Sequence, residues 1–348
     1  MKTVEELLVA LKQYKGKPVT LMEVCGTHTG AIRKSGIRAH LPTAIRLVSG
    51  PGCPVCVTPG SLIDESARLS REKNVELVTF GDMMKVPGVK TNLYEARALG
   101  GRIRVIYSPL SLIETALKNP NTLYVLVAVG FETTAPIYGL LVEQALLKGI
   151  SNLRLLMSVK TILPAMALIL QKGGVDGFIC PGHVTAVTGT GIYQPLAQRY
   201  GCPFVVAGFE TGQILAAIYE LVHLLEENRG EVRNFYPAVV RQEGNEKARE
   251  LMNRYFEPYD AVWRGIGVIP GSGLRLKKEY RAFDALEEGF REDREPLPKG
   301  CCCTQVITGE LMPDNCPCFG KSCTPDNPLG PCMVSSEGAC GVWYLTGV

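Results

Sequence analysis

The chain has almost no excess of charge: 37 Lys and Arg stand against 34 Asp and Glu, a formal net charge of +3. Basic residues are scattered among the acids, so the electrostatic footprint of a nucleic-acid binder is missing. Long apolar runs are missing too. Stretches such as LYVLVAVGF (123–131) fall well short of the roughly 18 residues that a membrane span needs. The N-terminal MKTVEELLVALKQYKGK breaks its apolar positions with acids and bases, as an amphipathic helix does and a signal peptide does not. No G-x-G-x-x-G or G-x-x-x-x-G-K-[ST] follows any strand-like run, which weighs against a nucleotide-binding enzyme. These absences predict a reducing, cytoplasmic setting with neither nucleic acid nor membrane as partner.

Cysteine, by contrast, is plentiful. Of 13 cysteines, eight (301, 302, 303, 316, 318, 323, 332 and 340) crowd the C-terminal tail, and Cys25, Cys53 and Cys56 sit in short glycine-rich motifs. A secreted disulfide scaffold would be small and loop-rich, whereas this chain has 348 residues and reads as an α/β protein. The thiols therefore point to metal or redox chemistry.

Short β-branched runs alternate with helical patterns: VTLMEV (19–24), AIRLVS (44–49), VELVTF (75–80) and IRVIY (103–107), then LYVLVAV (123–129), LRLLMSV (153–159), VDGFIC (175–180) and PFVVAG (203–208). This alternation predicts parallel sheets, grouped as two four-strand units over 1–120 and 121–233. CGTHTG (25–30) matches GFETTA (130–135) in position, and FGDMMKVPG matches PGHVTAVTG, which suggests a duplication, with a chance similarity between two unrelated α/β units as the alternative. The strand C-termini of two such units would converge on one cleft. From 234 to 348 a charged helix, ARELMNRYF, leads through the turn-rich VIPGSGLRL into the cysteine-rich tail. That tail has few apolar residues and is expected to take its order from metal–thiolate bonds, not from a core.

In CGTHTG, Cys25 follows a strand and precedes a helix, where the backbone N–H groups favour a thiolate. His28 is a candidate second ligand or proton donor, with a buried structural cysteine and a capping histidine as the bland alternative. GPGCPVC places Cys53 and Cys56 in a C-x-x-C loop ahead of a helix whose Ser61 and Asp64 have capping-box spacing. A redox or iron-related dithiol fits better than a zinc half-site, which would need two more ligands. Glu132 in GFETTAP is a candidate acid, with helix capping as the alternative and the expected role for Glu210. His183 is a candidate of either kind. The tail's spacing suits an iron–sulfur cluster, with zinc as the alternative. Cys316, Cys323, Cys332 and Cys340 are the candidate ligands, and Cys301, Cys303 and Cys318 are spares.

Taken in order, CGTHTG, GPGCPVCVTP, GFETTAP, PGHV, GVIPGSGL, CPCFGKSCTP and GPCMVSSEGACGVWY resemble the HypD family of hydrogenase maturation factors across nearly the whole chain. The resemblance implies two similar parallel-sheet α/β domains plus a small irregular domain with a 4Fe-4S cluster. It implies a scaffold and redox role in assembling the Fe(CN)2CO centre of nickel-iron hydrogenases, with iron shared with a HypC-type chaperone and cyanide supplied by a HypE-type donor. On this chain it implies Cys25 as the iron-binding thiolate with His28 beside it, Cys53 and Cys56 as the redox pair, which also count as candidate metal ligands, and Glu132 as an acid near the site. Cys318 in CPCFG and the run 301–303 depart from the familiar pattern. The rival reading is a stand-alone iron–sulfur thiol-disulfide reductase.

Overall fold

In the computed structural model, residues 2–286 and 297–347 are described. All eight expected runs form strands: β1 (Val19–Glu23), β2 (Ile45–Ser49), β3 (Val75–Thr79), β4 (Ile103–Val105), β5 (Leu123–Gly130), β6 (Leu153–Lys160), β7 (Gly177–Pro181) and β8 (Phe204–Ala207). Three more follow: β9 (Val232–Asn234), β10 (Phe256–Trp263) and β11 (Gly267–Leu276). The protein is α/β, with two mostly parallel sheets and a small irregular cysteine-rich region at its C-terminus.

The grouping of strands differs from the one expected. One sheet runs β2-β1-β7-β8-β9 and the other β10-β11-β6-β5-β3-β4, so each sheet draws strands from both halves of the chain. Periodicity marks a segment as a strand without naming its neighbours. β7, buried at every position, needs a partner on each side, and it takes β1 on one and β8 on the other. The turn-rich VIPGSGLRL is also a strand: β11 pairs antiparallel with β10 and with β6, closing the open edge of the second sheet. Its glycines belong to this pairing. A Cβ at Gly273 would collide with the Tyr259 ring and Ala261 across the hairpin, beside a register shift in β10.

Each sheet has its own core. Leu21, Ile179 and Val205 pack under Leu215 and Ile218 of the Thr211–Glu226 helix, and Leu126 and Leu155 pack with Tyr138 and Leu141 of the Ala135–Leu147 helix. A third cluster joins Met22, Val24, Phe131, Ile162 and Trp263 to Cys332, Met333 and Ala339 of the tail. The tail is thus better anchored than its composition suggests. Val306, Ile307, Met333, Val342 and Trp343 are all buried, Met333 on the 3-10 turn Pro331–Met333 and the others on two short helices, Cys303–Ile307 and Ala339–Leu345. Its order comes in part from packing, because a few well-placed apolar residues suffice when they enter a core that other segments have built. Among the described residues no helix is long and apolar enough to cross a membrane.

Candidate metal and thiol site

β1 delivers Cys25 to the N-cap of the Gly26–Lys34 helix. The thiol lies half-buried beside the backbone N–H groups of Thr27 and His28. Those donors do not prevail: burial, reinforced by the neighbouring Glu23, pushes the thiol up to about 11. The thiolate expected at a helix start is therefore not the resting form of the metal-free chain. Desolvation outweighs the dipole here, and a bound cation would reverse the balance.

Glu23 was not singled out by the sequence reading, although an acid at the end of the apolar strand VTLMEV was a usable signal. It is 1% exposed. One carboxylate oxygen accepts the Cys25 N–H at 3.1 Å and the other accepts the Thr29 hydroxyl at 2.5 Å. Burial raises this carboxyl to about 7, with those hydrogen bonds and the Arg38 guanidinium pulling the other way.

His28 is fully buried. Its Nε2 stands 2.9 Å from the Gly208 carbonyl, so Nε2–H donates, and Nδ1 is left as a lone pair with no partner. Burial lowers the imidazole to about 4, so it is neutral at pH 7 and a weak base, with the Nδ1 lone pair open to a hydrogen-bond donor or a cation. The ring lies 4.7 Å from Phe209, which lies 4.2 Å from His183. Two histidines far apart in sequence thus share one aromatic partner.

Cys53 and Cys56 are joined by a disulfide, with Cα atoms 5.3 Å apart, and both are buried. Their loop is stitched to the Cys25 loop. The Gly50 N–H donates to the Glu23 carbonyl at 2.7 Å and the Gly26 N–H to the Gly52 carbonyl at 3.4 Å. Gly52 permits this approach, since a Cβ there would strike Val24 and the Cys25 nitrogen. The expected capping box at Ser61 and Asp64 does not form. The helix is Gly60–Leu69 with Pro59 at its N-cap, and the Asp64 carboxylate instead accepts the N–H groups of Val89, Lys90 and Thr91 at 3.1–3.2 Å.

Glu132 lies two residues beyond β5 and reaches across to the start of another helix. One oxygen accepts the Ile162 N–H at 2.9 Å at the start of the Ile162–Lys172 helix, while Oε2 has no partner. Burial raises this carboxyl to about 7. Glu210 takes the role expected of it, as the N-cap of the Thr211–Glu226 helix with Gln213 completing the box.

In the tail, Cys301, Cys303, Cys316, Cys323 and Cys340 line one enclosed pocket together with Phe319 and Met333. Three of the four expected ligands are there. The fourth, Cys332, is fully buried and hydrogen-bonded to the Cys303 thiol at the pocket's margin. Two expected spares, Cys301 and Cys303, line the pocket, and both thiols would touch any Cβ at Gly330. Cys318 is not among the lining residues and lies instead against Gly300. Among the described residues no three His, Cys, Asp or Glu groups already stand in ligating geometry. Even so, soft sulfur donors gathered on loops around a closed space fit an iron–sulfur cluster. Burial pushes the Cys340 thiol up, as expected of thiols that ionise only on binding metal.

These sites meet. Gly338 lies between the Cys332 carbonyl and the Cys56 sulfur, which would stand 3.1 Å from a Cβ there. Gly26 packs on the Glu337 backbone, and the Thr27 hydroxyl donates to Glu337 at 3.1 Å. Ser335 donates to Asp82 at the end of β3 at 2.9 Å. Cys25, the Cys53–Cys56 pair and the tail thus occupy one region where the strand ends of both sheets converge.

Comparison with known proteins gives a consistent picture. The family model HypD, described as the hydrogenase formation hypA family, matches residues 2–347. The chain is 42% identical to the hydrogenase expression/formation protein HupD of Azotobacter chroococcum, covering 97% of this chain and 92% of the relative. It is 43% identical to the hydrogenase maturation factor HypD of Azotobacter vinelandii, over 94% and 89% of the two chains. Against the hydrogenase maturation factor HypD of Escherichia coli the identity is 39%, again over 94% and 89%.

Proposed function

The chain belongs to the HypD family of hydrogenase maturation factors, and from that premise we propose that it is a scaffold and redox protein for the iron of a nickel-iron hydrogenase. The iron is its cargo, held between the Cys25 thiolate and a small HypC-type partner while cyanide, from a HypE-type donor, and carbon monoxide are attached to give Fe(CN)2CO. The observation that carries this reading is the convergence of three cysteine-bearing segments: the Cys25 loop, the Cys53–Cys56 pair and the tail, where the Cys332 carbonyl and the Cys56 sulfur both crowd Gly338 and Glu337 packs on Gly26. Thiolate suits iron carrying strong-field ligands.

Each residue has a task in this reading. Cys25 gives up its proton on binding iron, and the lone pair of His28 Nδ1 is an acceptor or ligand in the same helix turn. Cys53 and Cys56 exchange two electrons and two protons between dithiol and disulfide. Glu132, with one oxygen unpaired and its carboxyl raised to about 7, can hold a proton at neutral pH. Cys316, Cys323, Cys332 and Cys340 would hold a 4Fe-4S cluster, which supplies single electrons when bound. The setting is a reducing cytoplasm. Burial of Cys53 and Cys56, at 5% and 2% exposure, argues against the stand-alone reductase, whose large disulfide substrates would have to reach them.

Anaerobic co-purification of the Cys25→Ala variant with its partner tests this reading. The expected result is loss of the shared iron with the tail's iron and sulfide retained. Loss of both from a folded variant would refute the separation of the two sites, and retention of both would remove Cys25 from the cargo site.

A further inference from the structure

Glu23 is a buried carboxylate beside Cys25 to which the reading above gives no task. We propose that it is a positioning residue for Cys25, fixing the thiol by holding that residue's own N–H. The proposal rests on the reading of Cys25 as the iron-binding thiolate.

An N-cap residue usually turns its side chain toward the first helical N–H groups, and its own N–H must find another partner. At Cys25 that partner is Glu23 Oε2, at 3.1 Å. The second oxygen holds the Thr29 hydroxyl, one turn into the same helix, at 2.5 Å. One carboxylate therefore grips the loop on both sides of the thiol. The main chain of Glu23 extends the grip, since its carbonyl accepts the Gly50 N–H at 2.7 Å where the Cys53–Cys56 loop begins. Arg38 supplies the opposing charge. Its guanidinium donates to the Leu47 carbonyl at 2.6 Å and lies 5.2 Å from the ring of Trp343 in the tail helix. With its side chain 1% exposed, Glu23 cannot meet cargo or partner directly, so it acts only through Cys25.

A glutamine in its place can repeat the pattern. Its carbonyl accepts the Cys25 N–H and its amide donates to Thr29, whose hydroxyl also lies 3.4 Å from the Cys25 carbonyl. An alanine leaves the Cys25 N–H unpaired in a buried place.

The test is the alkylation rate of Cys25 by iodoacetamide in the metal-free full-length chain, read by peptide mass spectrometry beside the thermal midpoint. Glu23→Ala should raise the rate by about tenfold or more, the equilibrium effect of one buried donor left unpaired, and Glu23→Gln should restore it to near the wild-type rate. If Glu23→Ala does not fold, Thr29→Val removes one arm of the grip and should raise the rate in the same direction. A wild-type rate in Glu23→Ala or in Thr29→Val overturns the proposal. So does a Glu23→Gln variant as reactive as Glu23→Ala, which would make charge and not position decisive. Because no iron is present, the outcome stands apart from the fate of the shared iron in Cys25→Ala.

Discussion

Replacing Trp343 by Ala should undock the tail while leaving both sheets folded. The indole is 5% exposed and lies under two guanidinium groups, those of Arg33 at 4.2 Å and Arg38 at 5.2 Å from the ring centroid. Truncating a core Trp to Ala costs about 3–5 kcal/mol, and each cation over the ring contributes about 0.5–1 kcal/mol. Trp343 sits on the last helix, Ala339–Leu345, which packs on the Gly26–Lys34 helix. The cost therefore falls on the docking of the tail. Taking about 3 kcal/mol as the local share, the undocked form becomes about a hundredfold more populated, at about 1.4 kcal/mol per tenfold. Amide hydrogen exchange over 303–345, in reduced protein stripped of metal by a chelator, should accelerate by that order, with β5 and β7 unchanged. Limited proteolysis should then cut after Lys321. Tail protection equal to wild type in the stripped variant would show that Trp343 does not anchor it.

Glu132→Gln should change the dependence of stability on pH. The carboxyl is raised to about 7 by burial, so the stability it contributes is complete below its unfolded pKa of about 4.5 and is lost as pH rises through about 7. Gln keeps an acceptor for the Ile162 N–H without the charge, so the variant should gain on wild type between pH 5 and pH 8, by up to about 3 kcal/mol. Parallel urea titrations read the difference, and a constant offset would contradict it. Cys53 and Cys56 should pass between disulfide and dithiol across poised thiol buffers, as shown by mass-tag trapping; a pair that stays reduced at every potential would have no redox role.

Every strand expected from the eight β-branched runs is present, because alternation with helical patterns is a local property of sequence. The assignment of those strands to sheets was not legible, since pairing of β1 with β7 depends on contacts between segments more than 150 residues apart. The placement of motif residues was readable: CGTHTG sets Cys25 at a helix start, and CPVC brings Cys53 to Cys56. Glu23 was missed because the local signal, an acid at the end of an apolar strand, does not say whether the carboxylate is buried to serve its neighbour or faces solvent. The thiolate expected at Cys25 did not hold for a related reason: the helix start is visible in CGTHTG, whereas the burial that outweighs it arises only in the folded chain, where Glu337 packs on Gly26 and Gly52 on the Cys25 nitrogen. Equally, the tail's few apolar residues gave no sign that Met333 and Ala339 would enter a shared core or that Trp343 would be buried under Arg33 and Arg38.

The central claim is that this chain holds iron while diatomic ligands are attached. Infrared spectroscopy of the complex with its HypC-type partner, purified without oxygen, tests it most directly. The account predicts bands from iron-bound cyanide and carbon monoxide that disappear in Cys25→Ala. A well-formed complex that carries neither set of bands would contradict it.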